Sequence, residues 1–192
     1  LLSPYAFRLR MEEHRHLGME DILGLLRSKG IAFEEARHPP VFTIEEMLEQ
    51  DLPHPELIAK NLFLRDDKKR RYYLVVARED QRVDLKALRT VIGSRPLSMA
   101  SEEDLMSHLG LTRGSVTPFG ILNDPDRSVD VVVDSSFRGS RMGVHPNDNT
   151  CTVWVGTEDL ESLISDGCAS FAYADLPTSD RCVHRHSYLW HP

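Results

Sequence analysis

The segment AKNLFLRDDKKRRYYLVVA, residues 59–77, constrains the fold more than any other part of the chain. Leu62, Phe63 and Leu64 run into the charged stretch RDDKKRR, and YYLVVA runs out of it. Two short apolar runs joined by a polar turn read as a β-hairpin with strands buried in a sheet. The odd residue is Lys60, an ammonium at the threshold of a strand otherwise suited to burial. Either its stem lies along the sheet and the charge snorkels to the rim, or the cation faces an anionic or developing negative group in a pocket. Alternation sends Asn61 to the opposite face, unless the strand starts irregularly.

Helix signals surround the hairpin. MEDILGLLRSKG places Met19, Ile22, Leu23 and Leu26 on one face and ends on Gly30. IAFEEARH alternates as a short strand, and Thr43 with Glu46 forms a capping box that opens TIEEMLEQ as a helix. DLKALRTVIG is amphipathic, and SEEDLMSHLG runs from a Ser101 cap to a Gly110 stop. FGILNDPDRSVDVVVD reads as a second hairpin turning on residues 123–126, TCTVWV as a strand, and TEDLESLIS as a last helix capped by Thr157. A short strand fits 169–174.

Strands and helices do not alternate as in a doubly wound sheet. We therefore expect an α+β fold: a mixed, largely antiparallel sheet that curls, barrel-like, with helices packed on it. The 192 residues suit one domain with its own core. We expect an arm over 1–18, a domain over 19–166 and an extension over 167–192. The chain opens Leu-Leu-Ser-Pro rather than with Met, as a piece of something longer would.

Charge and cysteine content narrow the function. A net charge of −7 argues against coating nucleic acid, while Arg65 with Lys68, Lys69, Arg70 and Arg71 forms a local basic patch able to grip a short piece of it, or simply a solvated turn. Cys151, Cys168 and Cys182 are too few and scattered for a disulfide framework, which suits a reducing, cytoplasmic compartment. No run approaches the length of a membrane span.

Three further features bear chemistry. The loop GSVTPFG brings Gly114 and Ser115, whose amides are placed to face a ligand oxygen, or it is an ordinary turn. HPNDNT puts His145 before a buried strand, as a substrate contact or as a structural histidine in a polar turn. Cys151 reads better as a buried thiol than as a nucleophile. No second His or Cys stands at metal-ligand spacing to His145, so we expect no metal site.

Taken together and in order, HPPVFTIEEM, the residue 59–77 hairpin, RVDLKALRTVIGSRPLSMASEEDLMSHLGLTRGSVTPFGILND and GVHPNDNTCTVWV resemble the freestanding prolyl-tRNA editing proteins of the YbaK/prolyl-tRNA synthetase-associated fold. The likeness spans residues 19–166 and is strongest to the ProXp-ala/PrdX branch, which removes alanine mischarged onto proline tRNA. It implies a deacylase that needs no cofactor, acting on the acceptor end of aminoacylated tRNA(Pro), with prolyl-tRNA synthetase as a further partner. It also implies roles. Lys60 positions the ester by binding the terminal phosphate or ribose, Gly114 holds the acyl carbonyl or water, and His145 lines the small pocket. Asn61, Ser115, Thr117, Pro118 and Asn149 are implied as substrate contacts. Deacylation of a cysteinyl or seryl ester, a binding module without catalysis, and a fragment of a larger synthetase remain the rival readings.

Overall fold

The computed structural model describes residues 15–179. Its centre is the strand that YYLVVA writes. Tyr72, Leu74 and Val76 point into one apolar cluster and Tyr73, Val75 and Ala77 into another, so β3 (Tyr72–Arg78) is buried on both faces. β2 (Ala59–Asp66) pairs antiparallel on one side of it, Lys60 opposite Ala77, as the hairpin reading expects.

On the other side lies β5 (Val129–Asp134), parallel to β3, followed by β8 (Ser170–Ala174), parallel to β5. With β4 (Leu97–Met99) at the far edge, the order is β4-β2-β3-β5-β8. A second, three-stranded sheet runs β1-β7-β6, from β1 (Phe33–Arg37), β7 (Cys151–Gly156) and β6 (Arg141–Val144). The fold is α+β, mixed and largely antiparallel, with four of six strand pairings antiparallel. The barrel-like curl is corrected: the sheets stay separate and do not close, and an isolated bridge from Ile58 to Gly143 links them.

Among the described residues the five α-helices are α1 (Met19–Ser28), α2 (Ile44–Leu48), α3 (Leu85–Val91), α4 (Glu102–Leu109) and α5 (Thr157–Ile164). Ile22, Leu23 and Leu26 of α1 join Leu105, Leu109, Leu160 and Ile164 in the larger core. Burying each such side chain contributes about 1.5–3 kcal/mol, which holds α1, α4 and α5 on the face the sheets share. α3 packs Leu88 on the opposite face of the larger sheet.

Two local expectations fail. The hairpin expected over FGILNDPDRSVDVVVD does not form, because Pro118 starts a 3-10 helix over Pro118–Asn123 and FGILN buries its apolar side chains in that form. Thr157 does not cap α5; it is the first helical residue, and its hydroxyl donates to the Ser140 carbonyl. The larger sheet also takes in residues beyond the boundary expected at 166, since β8 completes it. Most of the expected arm, residues 1–14, and the tail from 180 lie outside the described residues.

Candidate active site

The segments that carry the candidate residues meet at the seam between the sheets. A cavity of about 250 Å³ opens there, walled by residues 41–43, by Ile58–Asn61 entering β2, by the loop at 113–116 and by Gly143–His145 leaving β6. Lys60, Asn61, Gly114 and His145 all line it. Val41, Met47 and Ile58, a small apolar cluster of their own, form part of the lining.

Lys60 is half-buried at the start of β2. Its Nζ donates to the Gln81 carbonyl at 3.1 Å from a partly buried position. An ammonium has three donors, so two have no protein acceptor among the described residues. Asn61 alternates with Lys60 in an unbroken register, yet both border the first cavity; with Phe63, Asn61 also borders a neighbouring cavity of about 400 Å³. The Asn61 Oδ1 is buried without a hydrogen-bond partner among the described residues, a state that costs about 1–3 kcal/mol until a donor arrives.

His145 is 9 % exposed, and its Nδ1 lies 2.8 Å from the Cys151 carbonyl. A carbonyl only accepts, so Nδ1 carries the proton and Nε2 the lone pair. Burial lowers its pKa, opposed by the Cys151 carbonyl and reinforced by His38, whose ring lies 5.8 Å away. The imidazole is therefore neutral at pH 7. Asn147 and Asp148 hold the turn that follows, donating to the Leu17 carbonyl and accepting from the Thr150 amide.

Gly114 is required by its surroundings. Its φ is +87°, and a Cβ there would meet Phe42 Cδ1 at 3.0 Å and Val41 O at 3.3 Å. The loop thus runs against residues 41–42 and closes the cavity. Among the described residues the Gly114 amide has no protein acceptor.

The other expected contacts stand back from the cavity. Ser115 and Thr117 are buried, and the Ser115 amide already donates to the Thr112 carbonyl. Pro118 opens the 3-10 helix. Asn149 donates its Nδ2 to the Val41 carbonyl at 2.9 Å and so braces the wall from behind. Cys151 is buried, and desolvation pushes its thiol up to about 11, so it is no nucleophile. Among the described residues no group of three or more His, Cys, Asp or Glu is placed to hold a metal ion.

Sequence reasoning misses Arg113, which borders both cavities, and the exposed Phe42 at the mouth of the first. Arg113 directly precedes Gly114, but nothing in the local pattern separates it from any solvated arginine. The basic hairpin tip is largely neutralised: Arg65 and Lys69 face Asp104, and Arg71 faces Asp130. At about 3.3 Å per residue the tip lies roughly 20 Å along β2 from Lys60.

Residues 38–163 match the family described as the aminoacyl-tRNA editing domain. The chain belongs to that family. It is 46 % identical over 156 residues to the prolyl-tRNA editing protein ProX of Acetoanaerobium sticklandii, covering 81 % of this chain and 95 % of that one. It is 37 % identical to the mouse prolyl-tRNA synthetase associated domain-containing protein 1, covering 74 % and 85 %. A crystal structure described as a candidate trans-editing enzyme for prolyl-tRNA synthetase superposes with a TM-score of 0.61 at 21 % identity, over 93 % of this chain and all of that one. Membership of the editing family makes the chain an aminoacyl-tRNA deacylase. No described helix is long and apolar enough to cross a membrane.

Proposed function

We propose that the chain hydrolyses the ester joining alanine to tRNA(Pro), acting in trans, in the cytoplasm, on product released by prolyl-tRNA synthetase. The observation that carries this reading is that Lys60, Gly114 and His145, distant in sequence, line one small cavity. A proline pocket cannot strongly exclude alanine, because a missing methylene is worth only about 1–3 kcal/mol. A second, smaller sieve supplies the lost discrimination.

The two adjoining cavities suit a substrate with a small acyl end and a larger nucleoside end. They share Asn61, Met99, Arg113 and Val116, and the larger has Phe63 and Leu105 among its walls. Alanine enters the smaller, between apolar Met47 and Ile58 and the His145 imidazole. The neutral Nε2 of His145 accepts from the substrate ammonium, which a protonated ring would repel.

Lys60 spends its two remaining donors on the terminal phosphate or ribose, and Arg113 adds a second positive charge beside it. The unpartnered Asn61 oxygen accepts from a ribose hydroxyl. Water adds to the acyl carbon, and the Gly114 amide donates to the carbonyl oxygen as it gains charge. The bond from the acyl carbon to the ribose oxygen then breaks, that oxygen takes a proton, and alanine leaves. Ser115, Thr117 and Pro118 shape the loop, and Asn149 supports the facing wall.

A panel of tRNAs charged with alanine, proline, cysteine and serine tests the proposal. Free alanine should appear fastest and proline should stay attached. Preferential release of cysteine or serine would overturn the alanine assignment, and tight binding without cleavage would leave a binding module.

A further inference from the structure

We infer that Gln81 is a positioning residue for Lys60, and that buried Asp134 and the chain following β8 hold Gln81 in place. The inference rests on the proposed role of Lys60 in deacylation. The Lys60 ammonium donates to the backbone carbonyl of Gln81 at 3.1 Å, so the place of that carbonyl sets the place of the charge. A lysine side chain has four rotatable bonds, and without a fixed acceptor the ammonium would sample many positions in the cavity mouth.

The Gln81 side chain does more than close its own turn. Its Oε1 accepts from the Arg78 amide at 3.0 Å, and its Nε2 donates to Asp134 Oδ2 at 3.2 Å. Asp134 ends β5, is buried, and also accepts from the Ser136 amide at 2.9 Å and the Leu176 amide at 3.4 Å. One carboxylate thus joins the Gln81 carboxamide to the chain leaving β8. That chain grips the same turn from its other side. The Asp84 amide donates to the Pro177 carbonyl at 2.8 Å, the Ser179 amide to the Arg82 carbonyl at 2.9 Å, and Val83 bridges Thr178. A turn closed for its own sake needs only the Arg78 contacts. The bond to a carboxylate on another strand fixes the Gln81 carbonyl relative to the whole larger sheet.

The test compares single-turnover alanine release and Tm for the wild type, Gln81→Ala, Gln81→Glu and Gln81→Glu with Asp134→Asn, and repeats Gln81→Ala on a Lys60→Ala background. Gln81→Ala is expected to slow release about 10-fold to 100-fold, the cost of a misplaced catalytic group, and to change nothing further once Lys60 is gone. Gln81→Glu puts two carboxylates together and should slow release similarly. Adding Asp134→Asn restores a donor–acceptor pair in the reverse sense, gives up the longer bond from the Leu176 amide, and should recover part of the rate. A wild-type rate in Gln81→Ala, an equal loss on the Lys60→Ala background, or no recovery in the reversed pair would overturn the inference. If Gln81→Ala does not fold, the Gln81→Glu pair of proteins decides. Lys60→Ala alone separates the premise from the inference: a wild-type rate there removes the role of Lys60 itself.

Discussion

Replacing Gly114 with alanine strains the cavity wall in a way the structure lets us size. At φ +87° an L residue costs about 1–2 kcal/mol over glycine. The new Cβ would also stand 3.0 Å from Phe42 Cδ1 and 3.3 Å from both Phe42 Cα and Val41 O. The exposed ring can swing aside, but the backbone atoms cannot, so residues 41–42 or the 113–116 loop must shift by a few tenths of an ångström. The sum is about 2–3 kcal/mol, which at about 2–4 °C per kcal/mol for a domain of this size predicts a Tm lower by about 4–12 °C. The same shift moves the Gly114 amide against the acyl carbonyl, so kcat should fall about 10-fold to 100-fold while KM changes less. Calorimetry and quenched-flow alanine release measure both quantities. Unchanged Tm together with an unchanged rate would refute the close packing of this loop and its part in the reaction.

Other perturbations follow the same geometry. Asn149→Ala removes the bond to the Val41 carbonyl; stability should fall by about 1 kcal/mol and KM should rise as the wall loosens, both read by denaturant melts and steady-state kinetics. The lowered pKa of His145 means that below about pH 6.5 the unfolded chain binds a proton that the folded chain refuses. Its penalty is absent above that pH and grows as pH falls towards the depressed value. The Tm advantage of the wild type over His145→Gln should therefore shrink on acidification. Cys151, buried and raised to about 11, should resist thiol reagents in the native protein and react once it is unfolded, as a timed labelling series would show.

Legibility in the sequence tracked how local each determinant is. Ser101 and Thr43 cap their helices through their own side chains, and Gly110 stops one in the left-handed conformation, so those helix ends could be read directly. The β2–β3 hairpin was equally plain because both strands and the turn lie within 20 residues. The parallel pairs β3–β5 and β5–β8 join segments far apart in the chain and leave no local mark. FGILN misled because a short apolar run carries no period that separates a strand from a tight helix. β6 passed unnoticed because RMGV is short and contains Gly143, a position where a Cβ would strike the Trp154 indole at 2.8 Å.

At the site, resemblance pointed to Lys60, Asn61, Gly114 and His145, and all four line the cavity. It also drew in Ser115, Thr117, Pro118 and Asn149, whose positions in the chain follow the same motifs but whose side chains serve the walls. Arg113 and Gln81 stayed hidden because the cavities that Arg113 borders and the bond from Lys60 to the Gln81 carbonyl exist only in the folded chain.

The most direct measurement is single-turnover release of alanine from charged tRNA(Pro) by the wild type and by Lys60→Ala, with Tm recorded for both. We predict rapid release by the wild type, a loss of about 100-fold or more in the variant, and similar melting of the two proteins. A folded Lys60→Ala protein that releases alanine at the wild-type rate would contradict the central place given to this ammonium.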